Sequence, residues 1–163
     1  MALTVKSATI GDLLEADSIH VGVSASGKAD LLQQLIDSFG GRDGVGDLRA
    51  LKEAVLEREA MLSTGVGDGI ALPHAKTPAV TKTLAVFATT AAPIEYDSFD
   101  NKPVRLIFML IGPPSASREH VRILGRISRL LQREPVRQRL INAPTAEEII
   151  TILQTAEENI SSQ

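Results

Sequence analysis

Hydrophobic positions change period along this chain, and each change marks an element. Ile19, Val21 and Val23 alternate with His20 and Gly22, the two-residue period of a short strand. Ala29, Leu32, Leu35, Ile36 and Phe39 then recur at helical spacing, with Ser26 as the expected cap and Gly40-Gly41 as the stop. A second helix is predicted from Leu48 to Met61, on Leu51, Ala54, Val55 and Leu56. Ile70-Ala71-Leu72 reads as a short strand that meets Pro73-His74, and Leu84 to Thr89 as another. From Val104 to Ile111 there is almost no polar alternation after Arg105, so this strand should be buried on both faces, in mid-sheet.

Pro113-Pro114 ends that strand, and a helix follows from Ser117 to Leu131 with Val121, Leu124, Ile127, Leu130 and Leu131 on one side. Pro135 opens a shorter helix, and the capping pattern Thr145-x-x-Glu148 opens a last one that runs to about Ala156. Residues 157–163 are expected to fray. Asp12-Leu13-Leu14 forms a short lead-in, helical or irregular. No repeat and no break in composition divides residues 1–163, so the reading is one α/β domain: a mixed sheet with helices on both faces.

Composition narrows the function. Apolar residues make up 44% of the chain, which argues against disorder. With no Trp, one Tyr, four Phe and a net charge of −3, neither a stacking platform nor a basic footprint for nucleic acid is present. There is no Cys, which removes thiol catalysis and thiolate metal sites and fits a cytoplasmic protein. The first six residues lack the layout of a signal peptide. The longest strongly apolar stretch, Leu106 to Ile111, is far short of the roughly 20 residues that span a bilayer. Any membrane role must pass through a partner.

Chemistry concentrates between Glu59 and Ala75. Gly65, Gly67 and Gly69 let the backbone take positive φ, and their N–H groups can form a nest for an anion. Pro73 stiffens the chain just before His74, so this imidazole is presented beside a phosphate-friendly loop. Taken alone, one His after a short apolar strand is more often a satisfied structural residue than a reactive one. Two other patterns are decoys. Gly22 to Ala29 nearly spells a nucleotide-binding P-loop, but Ala29 has no hydroxyl for Mg²⁺. Gly65 to Ile70 leads into a strand rather than a helix, which argues against a dinucleotide site. The spacing of the three His residues supports no metal site, and no cofactor is expected.

Glu59, Val66-Gly67 and Ile70-Ala71-Leu72-Pro73-His74-Ala75, with Arg58 and Ser63-Thr64-Gly65, resemble the signature of the fructose/mannitol-type IIA domain of the bacterial phosphotransferase system. Asp12-Leu13-Leu14 with Ile19 and Lys28, the strand after Lys102-Pro103, and Glu119-His120 with Leu124 resemble other parts of that family. The resemblance implies that His74 accepts a phosphoryl group from an HPr-like phosphocarrier. It places the second histidine, His120, close to His74, and Arg58 near the phosphate.

Physical chemistry suits these roles. Two opposite charges about 4 Å apart attract by roughly 4 kcal/mol at an effective dielectric of 20. Arg58 is therefore the leading cation, by its forked donors, and Lys76 a weaker one. Glu57, Glu59 and Asp68 would repel the phosphoryl group if they faced it. Thr64 reads either as a hydroxyl donor to the phosphate or as a loop cap. His120 reads as a donor that steadies the phosphoryl group, and His20 as incidental. Val66 and Leu72 are expected to form a docking rim that excludes water. The acceptor would be a IIB domain or a regulated target protein. The reading favours the nitrogen-regulatory branch, with a sugar-specific IIA component, or a IIA-fold binding module without phosphotransfer, as alternatives.

Overall fold

The long apolar run supplies the centre of the molecule. In the computed structural model, which describes the backbone of residues 9–161, that run is strand β6, Val104–Gly112. Residues 1–6, read above for a leader, and the last two residues of the expected frayed tail lie outside the described part. The other strands are β1 (Ile19–Val23), β2 (Gly65–Gly67), β3 (Ile70–Ala71), β4 (His74–Lys76) and β5 (Leu84–Ile94). They form one mixed sheet in the order β1-β5-β6-β3-β2, with β4 also on β6. β5 and β6 run antiparallel, whereas β1 is parallel to β5, and β3 and β4 are parallel to β6.

The helices are α1 (Ile10–Leu13), α2 (Lys28–Asp37), α3 (Leu48–Met61), α4 (Ser117–Leu131), α5 (Glu134–Asn142) and α6 (Ala146–Ser161). Alternate residues of β6 feed two cores. Ile107, Met109 and Ile111 pack with Leu31, Leu35, Phe39, Leu51 and Val55 of the α2–α3 layer. Leu106, Phe108 and Leu110 pack with Ile123, Ile127, Leu140, Ile149 and Leu153 on the opposite face. Each fully buried Leu, Ile or Phe contributes roughly 1.5–3 kcal/mol, which is why a strand apolar on both faces must sit in mid-sheet.

Several expectations need correction. Gly27, not Ser26, occupies the N-cap of α2; the Ser26 N–H instead donates to Asp30 at 2.9 Å. Val21 is 38% exposed, because the strand register shifts between His20 and Val23, where Gly22 takes φ +68°. Val121 was placed on the apolar side of α4, yet it is 67% exposed. β5 runs five residues past Thr89, to Ile94. The last helix continues past Ala156 to Ser161. Glu157 is buried, accepts the N–H of Ile10 at 3.1 and 3.0 Å through its two oxygens, and pairs with Arg126 at 2.8 Å.

Candidate active site

The segment expected to carry the chemistry leaves α3, turns back as a hairpin and ends on β4. Arg58 lies in the last turn of α3, where its Nη1 donates to the Leu62 carbonyl at 2.9 Å and closes the helix end. One residue on, the buried Glu59 carboxylate receives the Thr64 N–H at 2.9 Å and the Thr64 hydroxyl at 2.6 Å. β2 and β3 then pair antiparallel around Asp68-Gly69, whose φ values of +56° and +77° are those of a tight two-residue hairpin turn.

In this hairpin the glycines meet demands of turn geometry and packing. Gly65 packs so closely on Ser98 that an added Cβ would lie 2.9 Å from its Cα. The Gly65 N–H donates to the Ser63 hydroxyl, and the Asp68 N–H donates to the Asp100 carboxylate at 3.0 Å. The Gly69 carbonyl accepts from Arg105 and Leu106 and ties the turn to β6. Gly67 and Asp68 line a small cavity of about 100 Å³ with Ser128 and Gln132, apart from His74.

His74 opens β4 opposite Leu110 of β6. Its Nδ1 lies 2.8 Å from the Leu72 carbonyl oxygen. A carbonyl only accepts, so Nδ1 carries the proton and Nε2 keeps its lone pair in the neutral ring. Burial pushes the pKa of His74 below the ordinary value, with Arg58 and Lys76 adding to the drop; the Leu72 carbonyl and Glu59 act the other way. The net effect favours the neutral, nucleophilic form.

His120, in the N-terminal part of α4, sits with its ring centroid 5.5 Å from that of His74 and the planes at 60°. It is buried, and neither ring nitrogen has a hydrogen-bond partner among the described residues. Burial first, then His74 and Lys76, push its pKa down to about 4, so it is neutral at physiological pH. One N–H of this ring is thus an unused donor beside the candidate nucleophile. Gly112 makes room for it: a Cβ there would lie 3.3 Å from His120 Nδ1.

Arg58, Leu62, Thr64, Leu72, His74 and Val121 line one open cavity of about 490 Å³. The sequence-predicted Arg58, Thr64 and His74 therefore meet there, and His120 backs His74. Val66 also lines it, whereas Gly65, Gly67 and Gly69 do not. The Thr64 hydroxyl proton is engaged by Glu59, the arrangement of a loop cap. Lys76 is exposed, with Nζ 3.4 Å from the Ser117 hydroxyl. His20 stands on β1, away from this cavity. Among the described residues no group of three His, Asp or Glu side chains is placed to hold a metal ion. Sequence reasoning missed the Leu72 carbonyl, Gly112 and a buried ion pair, Lys28 to Glu59 at 2.8 Å. Only the last had a trace in the sequence, as the lysine of the P-loop look-alike.

A neutral imidazole with one nitrogen held and the other bare, facing a cavity that also holds an arginine, has the arrangement a nucleophilic histidine needs. Residues 12–156 match the family described as "Phosphoenolpyruvate-dependent sugar phosphotransferase system, EIIA 2". The chain belongs to that family. It is 34% identical over 144 residues to the fructose-specific EIIABC component of Bacillus subtilis, covering 88% of this chain but only 23% of that longer protein. It is also 34% identical over 144 residues to the nitrogen regulatory protein of Bradyrhizobium diazoefficiens, covering 88% of this chain and 94% of that one. The crystal structure of nitrogen regulatory protein IIA-Ntr from Neisseria meningitidis superposes with a TM-score of 0.83 at 30% identity, over 88% of this chain and 98% of that one. An Escherichia coli complex of enzyme IIA-Mtl with phosphorylated enzyme IIB-Mtl shares the fold, with a TM-score of 0.75 at 23% identity over 87% of this chain and 97% of that one.

Proposed function

We propose that His74 is a phosphoryl acceptor and that the protein relays this group as a nitrogen-regulatory-type IIA component. The bare Nε2 of His74 attacks the phosphorus of an HPr-like phosphohistidine in line. The new Nε2–P bond forms as the donor N–P bond breaks, and the donor nitrogen leaves with the bonding pair. Arg58 offsets charge on the phosphoryl oxygens, and the N–H of His120 steadies the phospho-form. The group then leaves by the reverse displacement, to a IIB domain or a regulated target. Such a relay operates in the cytoplasm; among the described residues no helix is long and apolar enough to cross a membrane.

The observation that carries this reading is the hydrogen bond from His74 Nδ1 to the Leu72 carbonyl, which leaves Nε2 as the free nucleophile. The likeness to IIA-Ntr, stronger in both TM-score and identity than that to mannitol IIA, favours the regulatory branch. The shared identity with a fructose-specific component supports the sugar branch as a second reading.

The test is the intact mass of the protein after incubation with phosphoenolpyruvate, enzyme I and HPr at neutral or alkaline pH, because phosphohistidine is acid-labile. The wild type should gain one phosphoryl group and His74→Ala none. Equal labelling of the two would refute the assignment. A wild type that takes no label would leave the IIA fold as a binding module.

A further inference from the structure

An ion pair at the start of α2 connects to the His74 ring through hydrogen bonds relayed by the backbones of Thr64 and Leu72. Lys28 Nζ lies 2.8 Å from Glu59 Oε1, in a setting where the two side chains are only 21% and 5% exposed. Glu59 receives both the N–H and the hydroxyl of Thr64. The carbonyl of Thr64 accepts the Leu72 N–H at 2.9 Å. The carbonyl of Leu72 accepts the proton on His74 Nδ1 at 2.8 Å. Two residues, Thr64 and Leu72, therefore separate the Glu59 carboxylate from the ring that reacts.

Tyr96 locks the near end. Its hydroxyl lies 3.1 Å from Thr64 Oγ1, and Thr64 has already given its one proton to Glu59, so Tyr96 is the donor. Burial, reinforced by Glu59, raises the Tyr96 pKa far above the usual phenol value, so that proton stays in place. Lys28 Nζ also sits over the Tyr96 ring, 4.6 Å from its centroid.

We infer that Lys28 is a positioning residue for phosphoryl transfer, acting through Glu59, Thr64 and Leu72 to hold His74 with Nδ1 protonated and Nε2 bare. The inference rests on the phosphoryl-acceptor role of His74. Its physical basis is charge as well as geometry. Glu59 is buried near a site that must receive an anion, and Lys28 offsets its charge at contact distance. Without Lys28, the carboxylate would oppose the incoming phosphoryl group and lose the partner that fixes its orientation, so Thr64 and Leu72 would no longer be held in register.

Lys28→Gln, Lys28→Arg, Glu59→Gln and the double variant Lys28→Gln/Glu59→Gln decide the matter, with phospho-HPr as the donor. Lys28→Gln should lower the turnover of transfer about tenfold with KM for phospho-HPr unchanged. The ¹⁵N spectrum of unphosphorylated Lys28→Gln should show His74 as a mixture of tautomers, where the wild type shows Nδ1–H alone. Lys28→Arg keeps the charge and should restore both readouts. The double variant should be no slower than Glu59→Gln, since both substitutions cut one chain. Wild-type turnover in Lys28→Gln would overturn the inference, as would a slow variant whose ring keeps the wild-type ¹⁵N signature. So would losses that multiply in the double variant. The tautomer comparison needs no phosphotransfer. If the wild type accepts no phosphoryl group, the functional reading fails while this comparison still decides the role of Lys28.

Discussion

The His74 ring is set by its surroundings to be neutral, and this fixes a pH dependence. Its pKa lies below the ordinary 6.5, with burial as the largest cause. The nucleophile is the unprotonated ring, so protonation removes activity only when pH falls through the depressed value. The single-turnover rate of transfer from phospho-HPr should stay flat as pH drops past 6.5 and decline only below it, after correction for the donor's own titration. A half-maximal rate at or above 6.5 would contradict the geometry. Arg58 makes a second prediction. Its hydrogen bond to the Leu62 carbonyl closes the α3 terminus and is worth about 1 kcal/mol. Arg58→Ala should therefore melt close to the wild type yet accept phosphate at least about tenfold more slowly. An unchanged rapid-quench rate would remove Arg58 from the site. The grouping of His74, Arg58 and His120 was legible in the sequence, from the long run at 58–75 and the separate Glu119-His120 match. The Leu72 carbonyl that selects the tautomer was not, since every residue has a carbonyl and only the fold decides which one faces the ring.

At the scale of elements, the glycine-rich segment is a hairpin whose glycines answer to turn geometry and packing. Gly65 has no room for a methyl group, with Ser98 Oγ 2.5 Å and Ser98 Cα 2.9 Å from where a Cβ would stand. Gly65→Ala should cost about 1–3 kcal/mol in urea unfolding through overpacking. Gly125, inside α4 with nothing within 4 Å of its Cβ position among the described residues, is the contrast: Gly125→Ala should stabilise by about 1 kcal/mol. Equal effects at the two positions would contradict the assignment. The helices at 48–61 and 117–131 and the central strand were legible to within a residue, because their apolar periods are long. The hairpin at 65–71 was not legible, because the glycine spacing is the same whether the loop's N–H groups hold an anion or face Ser63 and Asp100. Val121 was misplaced because it neighbours the apolar stripe of α4 without belonging to it.

Across the whole molecule, two cores share one central strand, and polar ties join distant parts of the chain. Glu157 of α6 holds the start of α1 through the Ile10 N–H and pairs with Arg126 of α4 at 2.8 Å, with side chains 6% and 24% exposed respectively. Breaking a buried pair from one side leaves an uncompensated charge. Glu157→Gln should cost on the order of 3 kcal/mol in urea unfolding. An unchanged midpoint would show that the C-terminal turns of α6 carry no load. Position at the chain end suggested a frayed tail here, because an ion pair 31 residues apart in sequence has no local signature.

The central claim is that the phosphorus bonds to one particular atom, Nε2 of His74. The direct measurement is ³¹P–¹⁵N coupling in the ¹⁵N-histidine-labelled protein after phosphorylation by phosphoenolpyruvate, enzyme I and HPr at alkaline pH. A single coupled nitrogen that assigns to His74 Nε2 is the predicted result. Phosphorus on Nδ1, which donates to the Leu72 carbonyl, or on His120, would contradict the account.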